Sequence, residues 1–259
     1  MSAMLRQLVP FAAEVANVQV READEGLAAL ISSAVAAHRV VILRGQVAED
    51  SDFVRFLRML GELTFTAGET PVSNAPDLNV VSNVGRTTPP RSVFHTDTSY
   101  VAQPPALGAL RAVSLPISGG ATLFSDQVRA ADSLPSAARD WLRGRTLLHG
   151  VKGTDGNFMQ MRHPILTRHP VTGEMALFLS TPERCTGLSG VDPPLSARVV
   201  NLLYLRSVRA SQLYRHEWRT GDIVIWDNRA TMHRADHTAV AGDRVLHRGL
   251  VLGEVPQAA

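Results

Sequence analysis

Gly221-Asp222-Ile223-Val224-Ile225-Trp226-Asp227-Asn228-Arg229-Ala230-Thr231-Met232-His233 is the stretch on which the fold class turns. A glycine, a short β-branched apolar run and a polar Asp-Asn-Arg group describe a buried strand that ends in a turn and then presents a histidine. Similar short runs recur at 39–45, 78–82, 106–113, 122–125, 175–179 and 245–252, with Gly, Pro and Asn between them. This pattern predicts a mainly β chain built on two packed sheets. Helices are expected at 25–36, where Asp24 supplies the N-cap, and at 51–60, where Ser51 is the expected cap and Gly61 the stop. Two more are expected at 130–142, with Asp132 or Ser133 near a cap, and at 194–207. The helices are expected to cover one side of the β core. No repeat, low-complexity segment or linker interrupts the sequence, which reads as a single domain over residues 1–259.

The chain has 259 residues, 45% hydrophobic and 19% charged, enough to bury a sizeable core without staples. Its single cysteine, Cys185, excludes an intrachain disulfide and suits a reducing compartment. The net charge is only +2, and no basic run with interleaved aromatics occurs, which argues against nucleic acid as a partner. No apolar stretch approaches the ~20 residues of a membrane span. The first twenty residues are broken by Arg6, Pro10 and Glu14 and lack a signal-peptide core. A cytoplasmic protein with no membrane partner is therefore expected. Lys152 is the only lysine among 26 Lys and Arg side chains. Genome composition accounts for most surface arginines, but the guanidinium also suits bidentate binding of carboxylate, sulfonate or phosphate.

The segment Phe94-His95-Thr96-Asp97 contains His-x-Asp. On a strand, residues two apart share a face, so His95 and Asp97 could reach one ion. Alone, the tripeptide carries little information. Together with His233 it makes two histidines and one carboxylate, the set of the facial triad in non-haem Fe(II) oxygenases. Downstream, Arg244 and Arg248 would share a face of a returning strand, placing cationic forks where a dicarboxylate would need them. Alternation turns His247 away from Arg248. Asp227, Asn228 and Arg229 are expected to fix the turn that presents His233, and Trp226 is read as core.

These elements resemble the taurine dioxygenase-like (TauD/TfdA) family of Fe(II)/2-oxoglutarate-dependent oxygenases. The resemblance runs over most of the chain, through Val40-Val41-Ile42-Leu43-Arg44, His95-Thr96-Asp97, Gln103-Pro104-Pro105-Ala106 and Gly119-Gly120-Ala121-Thr122-Leu123-Phe124. It continues through His163-Pro164-Ile165, His169-Pro170-Val171-Thr172-Gly173, the Gly221 to His233 segment, Arg244 and Arg248. It implies a distorted double-stranded β-helix, a cupin-like jelly roll with flanking helices. It implies Fe(II) held by His95, Asp97 and His233, with no catalytic residue beyond the metal centre. Thr122 and Arg244 would bind the distal carboxylate of 2-oxoglutarate, with O2 as the second co-substrate. Arg248 falls where sulfonate-using relatives bind the substrate anion, Arg184 near the place of a substrate-covering aromatic, and Arg91 at a polar substrate contact. Relatives often have Trp where Phe94 stands and Asp where Ala121 stands; neither change touches a ligand. The presence of arginine at 184 makes taurine itself doubtful.

The implied reaction hydroxylates an unactivated C–H of a small substrate bearing a carboxylate, sulfonate or phosphate, or fragments it after hydroxylation, releasing succinate and CO2. Asp97 argues against halogenation, because a related halogenase would have a small residue there. The competing readings are a Zn(II)-dependent hydrolase on the same His/Asp/His set and a non-catalytic jelly roll that binds an anionic metabolite. The substrate and the oligomeric state stay open; relatives form dimers or tetramers.

Overall fold

The computed structural model describes residues 3–85, 92–153 and 156–259. Strands β1 (Met4–Gln7) and β2 (Ala13–Ala16) pair antiparallel at the start of the chain. Helix α1 (Glu25–His38) begins where Asp24 accepts the Leu27 N–H, and it buries Ala28, Ile31, Ala34 and Val35. Strand β3 (Val40–Leu43) is buried at every residue.

Helix α2 (Asp50–Leu60) starts earlier than the sequence suggests. Its cap is Glu49, not Ser51, because Glu49 and Asp52 form a reciprocal capping box. Asp50 and Asp52 then lie in the first turn, where the helix dipole favours carboxylates. Gly61 ends the helix at φ 154°, and a Cβ there would lie 2.7 Å from Val251.

Strands β4 (Leu63–Thr64), β5 (Pro71–Val72), β6 (Ala75–Ser82), β7 (Pro105–Ser114) and β8 (Thr122–Asp126) follow. The helix expected at 130–142 is two helices, α3 (Gln127–Asp132) and α4 (Ser136–Leu142). Pro135 lacks an N–H and ends continuity. The cap of α3 is Asp126, which accepts from Val128 and Arg129, so Asp132 and Ser133 lie at its far end. Then come β9 (Thr146–Lys152), β10 (Phe158–Pro164), β11 (Leu166–Arg168), β12 (Met175–Leu177) and β13 (Cys185–Leu188). Helix α5 (Pro193–Ser207), capped by Asp192, leads to β14 (Leu213–His216), β15 (Ile223–Asp227), β16 (Thr231–Ala235) and β17 (Val245–Leu252).

The larger sheet has the order β1-β2-β3-β15-β7-β17-β6-β5, with β4 also on β17. The smaller sheet packed against it is β14-β8-β16, while β10-β9-β13 and β11-β12 pair separately. Alternation sorts the central strands. Val40, Ile42, Leu110, Val224, Trp226 and Leu246 face Phe124 and Tyr214 of the smaller sheet. Val41, Leu43, Ala109, Ile223 and Ile225 face α1 and α2 through Ile31, Val35, Phe53, Phe56 and Leu57. Burial on both faces explains why β15 and β3 read as unbroken apolar runs. The helices do not all cover one side. Leu123 and Met232 point out of the smaller sheet into a separate cluster with α3, α4 and α5. The fold is therefore mainly β, a distorted double-stranded β-helix with helices outside both sheets. At Gly108, a Cβ would meet the Trp226 ring at 2.2 Å, so glycine there lets the ring lie flat on β7.

Candidate active site

The site forms where the open end of the smaller sheet meets β17. In β16, His233 and Ala235 share the inward face, while Met232 points to the helices. His95 is not in a regular strand. It makes a single antiparallel bridge to His233, with both N–H···O=C bonds at 2.9–3.0 Å. The two imidazoles are thereby brought to 4.5 Å between centroids. Asp97 follows in a turn, not on a strand face. Its backbone is clamped by Asn228: the Asp97 N–H donates to Asn228 Oδ1 at 2.9 Å, and Asn228 Nδ2 donates to the Asp97 carbonyl at 3.1 Å. Asn228 Nδ2 also donates to the Pro105 carbonyl at 2.9 Å.

The Asn228 turn is itself braced. Arg229 donates to Asp227 Oδ1 at 2.9 Å and to Oδ2 at 2.7 Å, and His169 Nε2 donates to Oδ2 at 2.8 Å. His169 Nδ1 accepts from the Val171 and Thr172 N–H groups, which places the proton on Nε2. Burial would raise the Asp227 carboxyl, but these bonds lower it to about 2. The Asp227–Asn228–Arg229 group thus fixes the turn, as the sequence suggests, and also reaches across to hold Asp97.

The structure brings one ligand atom from each of His95, Asp97 and His233 within 4.8 Å of one another. His95 Nδ1 donates to the Val93 carbonyl at 2.9 Å, which leaves Nε2 as the ring nitrogen facing Asp97 Oδ1, 3.5 Å away. Burial drives the His233 imidazole down to about 3, leaving it neutral. Burial alone would raise the Asp97 carboxyl. The Arg248 guanidinium outweighs that and holds it well below the usual carboxylate range. Asp97 Oδ2 is buried without a hydrogen-bond partner among the described residues. Two imidazoles and an unsatisfied carboxylate oxygen fit a divalent metal of the kind bound by facial triads.

A cavity of about 230 Å³ opens over these residues, lined by His95, His233, Thr122, Arg244 and Arg248 together with Val80, Val81 and Leu110. Thr122 and Arg244 meet: Arg244 Nη2 donates to Thr122 Oγ1 at 3.2 Å and Nε to the Gly120 carbonyl at 2.9 Å. Trp218 Nε1 donates to the same hydroxyl at 3.0 Å, and Arg244 lies 6.0 Å over its ring. Burial lowers Arg244 only to about 10, so it stays cationic. Arg248 Nη1 donates to Asp97 Oδ1 at 3.0 Å and Nη2 lies 3.6 Å from Glu69. His247 points the other way, bonding Asp50 of α2 at 2.7 Å.

Arg184 does not line the cavity; its guanidinium lies 5.9 Å from the centre of the Tyr100 ring. Arg91 lies outside the described residues. Trp226 is buried core, packed 4.6 Å from the His233 ring. His237, close to the site in sequence, does line the cavity, whereas sequence reading missed Glu69 and Trp218. All three sit in loops or turns, where no periodicity marks a direction.

A jelly roll that gathers two imidazoles, a carboxylate and a buried guanidinium into one cavity defines a class of metal-dependent oxygenase. The chain belongs to the family described as taurine catabolism dioxygenase TauD, TfdA, whose model matches residues 5–250. It is 28% identical over 274 aligned residues to an alpha-ketoglutarate-dependent sulfate ester dioxygenase of Pseudomonas putida, covering 94% of this chain and 87% of the relative. An alpha-ketoglutarate-dependent 2,4-dichlorophenoxyacetate dioxygenase of Burkholderia sp. (strain RASC) is 25% identical, over 83% of this chain and 82% of its own. The crystal structure of a putative alpha-ketoglutarate-dependent taurine dioxygenase from Burkholderia xenovorans superposes with TM-score 0.89 at 30% identity, covering 98% of this chain and 94% of that one. The chain is therefore an alpha-ketoglutarate (2-oxoglutarate)-dependent dioxygenase that consumes O2, and neither a hydrolase nor a non-catalytic binder is favoured. No helix among the described residues is long and apolar enough to cross a membrane.

Proposed function

We propose that the enzyme hydroxylates an unactivated C–H of a small substrate bearing a carboxylate, sulfonate or phosphate, or cleaves the substrate after that hydroxylation. The reading rests on the ligand cluster standing in one cavity with Arg244 and Thr122. His95, Asp97 and His233 would hold Fe(II), which when bound supplies O2 activation coupled to conversion of 2-oxoglutarate into succinate and CO2. Arg244 and Thr122 would take the distal carboxylate. The bonds from Arg244 to Gly120 and from Trp218 to Thr122 pre-orient both groups, so little side-chain freedom is lost on binding. The Val93 carbonyl holds the His95 ring with Nε2 toward the cavity. Val80, Val81 and Leu110 keep the reaction space apolar. Arg248, which lines the same cavity, would receive the substrate anion.

The test is spectroscopic. Anaerobic protein with Fe(II) and 2-oxoglutarate should show the weak visible charge-transfer band of the chelate. His95→Ala and Asp97→Ala should abolish the band and O2-dependent succinate formation. Retention of both at the parent level would refute the assignment. Zn(II)-supported turnover without O2 would favour the hydrolase instead.

A further inference from the structure

Arg248, the arginine facing the substrate space, is already engaged. One arm donates to Asp97 Oδ1 at 3.0 Å and the other lies 3.6 Å from the Glu69 carboxylate. Glu69 also lines the cavity, and its side chain is 43% exposed. It is not there by the wandering of a loose loop. The turn carrying it is closed by the Glu69 N–H to the Thr66 carbonyl at 3.2 Å. Thr66 Oγ1 lies 3.1 Å from Thr98 Oγ1, next to the ligand Asp97. The far end is tied where the Val80 N–H donates to the Thr70 carbonyl at 2.8 Å.

The charges of the loaded cavity then pair off, with imidazoles counted as neutral. A divalent ion balances Asp97 and the chelating carboxylate of 2-oxoglutarate. Arg244 balances the distal carboxylate. Arg248 is left against Glu69. Among the described lining residues no further charged side chain remains for a substrate anion. A lone anion would have to displace Glu69 from Arg248 or leave an excess negative charge in a partly buried site, which is costly. A substrate carrying its own cation would set its anion on Arg248 and its cation on Glu69.

We propose that Glu69 is a specificity-determining residue that screens Arg248, so that the enzyme takes substrates whose anionic group is accompanied by a cationic group, and disfavours lone anions. This rests on the functional reading above for the role of Arg248 in the same cavity.

Inorganic sulfate, titrated by calorimetry, is the probe. The parent chain and Glu69→Gln are each compared unloaded and after loading with Mn(II) and 2-oxoglutarate. Glu69→Gln removes the charge and keeps the shape, so sulfate should bind about twofold to fivefold more tightly, the range of a partly exposed ion pair. Adding Arg248→Met to Glu69→Gln should cancel the gain. Equal affinities in parent and variant would overturn the proposal. So would absence of sulfate binding to either protein, because freeing Arg248 would then create no anion site. Failure to take up Mn(II) and 2-oxoglutarate would defeat the functional reading instead, while the unloaded comparison would still report on Glu69. In a succinate screen of shape-matched pairs, such as 1-propanesulfonate against 3-aminopropanesulfonate, parent turnover favouring the lone anion would also overturn it.

Discussion

Replacing Asn228 by Ala should weaken metal binding without touching a metal ligand. Asn228 is buried and bonds the Asp97 N–H, the Asp97 carbonyl and the Pro105 carbonyl. Truncation leaves these three backbone groups unsatisfied in a buried place. At about 1 kcal/mol each, the low end for a lost partner, the folded state loses roughly 3 kcal/mol. For a chain of this size, that corresponds to a fall in Tm of about 6–12 °C. The larger consequence is local. Asp97 sits in a turn rather than a ladder, so the Asn228 clamp sets where its carboxylate stands relative to His95 and His233. Loss of such a supporting group costs roughly 10- to 100-fold in metal affinity. Calorimetric titration with Mn(II), beside thermal melts of metal-free protein, separates the two effects. Asn228→Asp, which keeps the acceptor but sets a carboxylate against the Asp97 and Pro105 carbonyl oxygens, should do no better than Ala. A variant with Mn(II) affinity within twofold of the parent, at whatever Tm, would refute the clamp.

Other expectations follow from single contacts. Trp218→Phe removes the indole N–H from Thr122 while keeping an aromatic ring under Arg244. The apparent KM for 2-oxoglutarate should rise about fivefold to tenfold, with kcat little changed, in steady-state succinate assays. Gly108→Ala drives a Cβ into the Trp226 ring and should cost about 1–3 kcal/mol in chemical denaturation, with metal ligands untouched. Burial lowers His149 from 6.5 to about 3. The unfolded chain therefore takes up a proton there that the folded chain refuses. The stability this contributes is present in full above about 6.5 and is lost as pH falls from 6.5 toward 3. Denaturation of metal-free protein at stepped pH should show that decline, and a flatter profile in His149→Gln; a slope unchanged by the substitution would contradict it.

Local chemistry made much of the fold legible. The runs in β3, β15 and β17 are short, apolar and bounded by turn residues, so they read as strands wherever the rest of the chain lies. Asp24 and Gly61 mark helix ends through bonds to neighbours a few residues away. The elements that escaped are those whose identity is not local. β9 and β10 alternate with Gly150, His149, Gln160 and Arg162 and gain stability only by pairing with each other and with β13. The cap of α2 was misplaced because Glu49 competes with Ser51 through a reciprocal bond to Asp52 that no single residue type signals.

The sequence by itself put forward the groups a site could use: two histidines, one aspartate and two arginines, in an order that resembles a known family. Only the tertiary structure decided how they stand. His95 meets His233 through one backbone bridge, and Asp97 is placed by a side chain from the far end of the chain. Arg248 is shared between Asp97 and Glu69 rather than free, and Arg184 turns to Tyr100. The reason is physical: residue type sets what a group can bind, whereas its partners depend on strand registers and loop paths that satisfy the whole core at once.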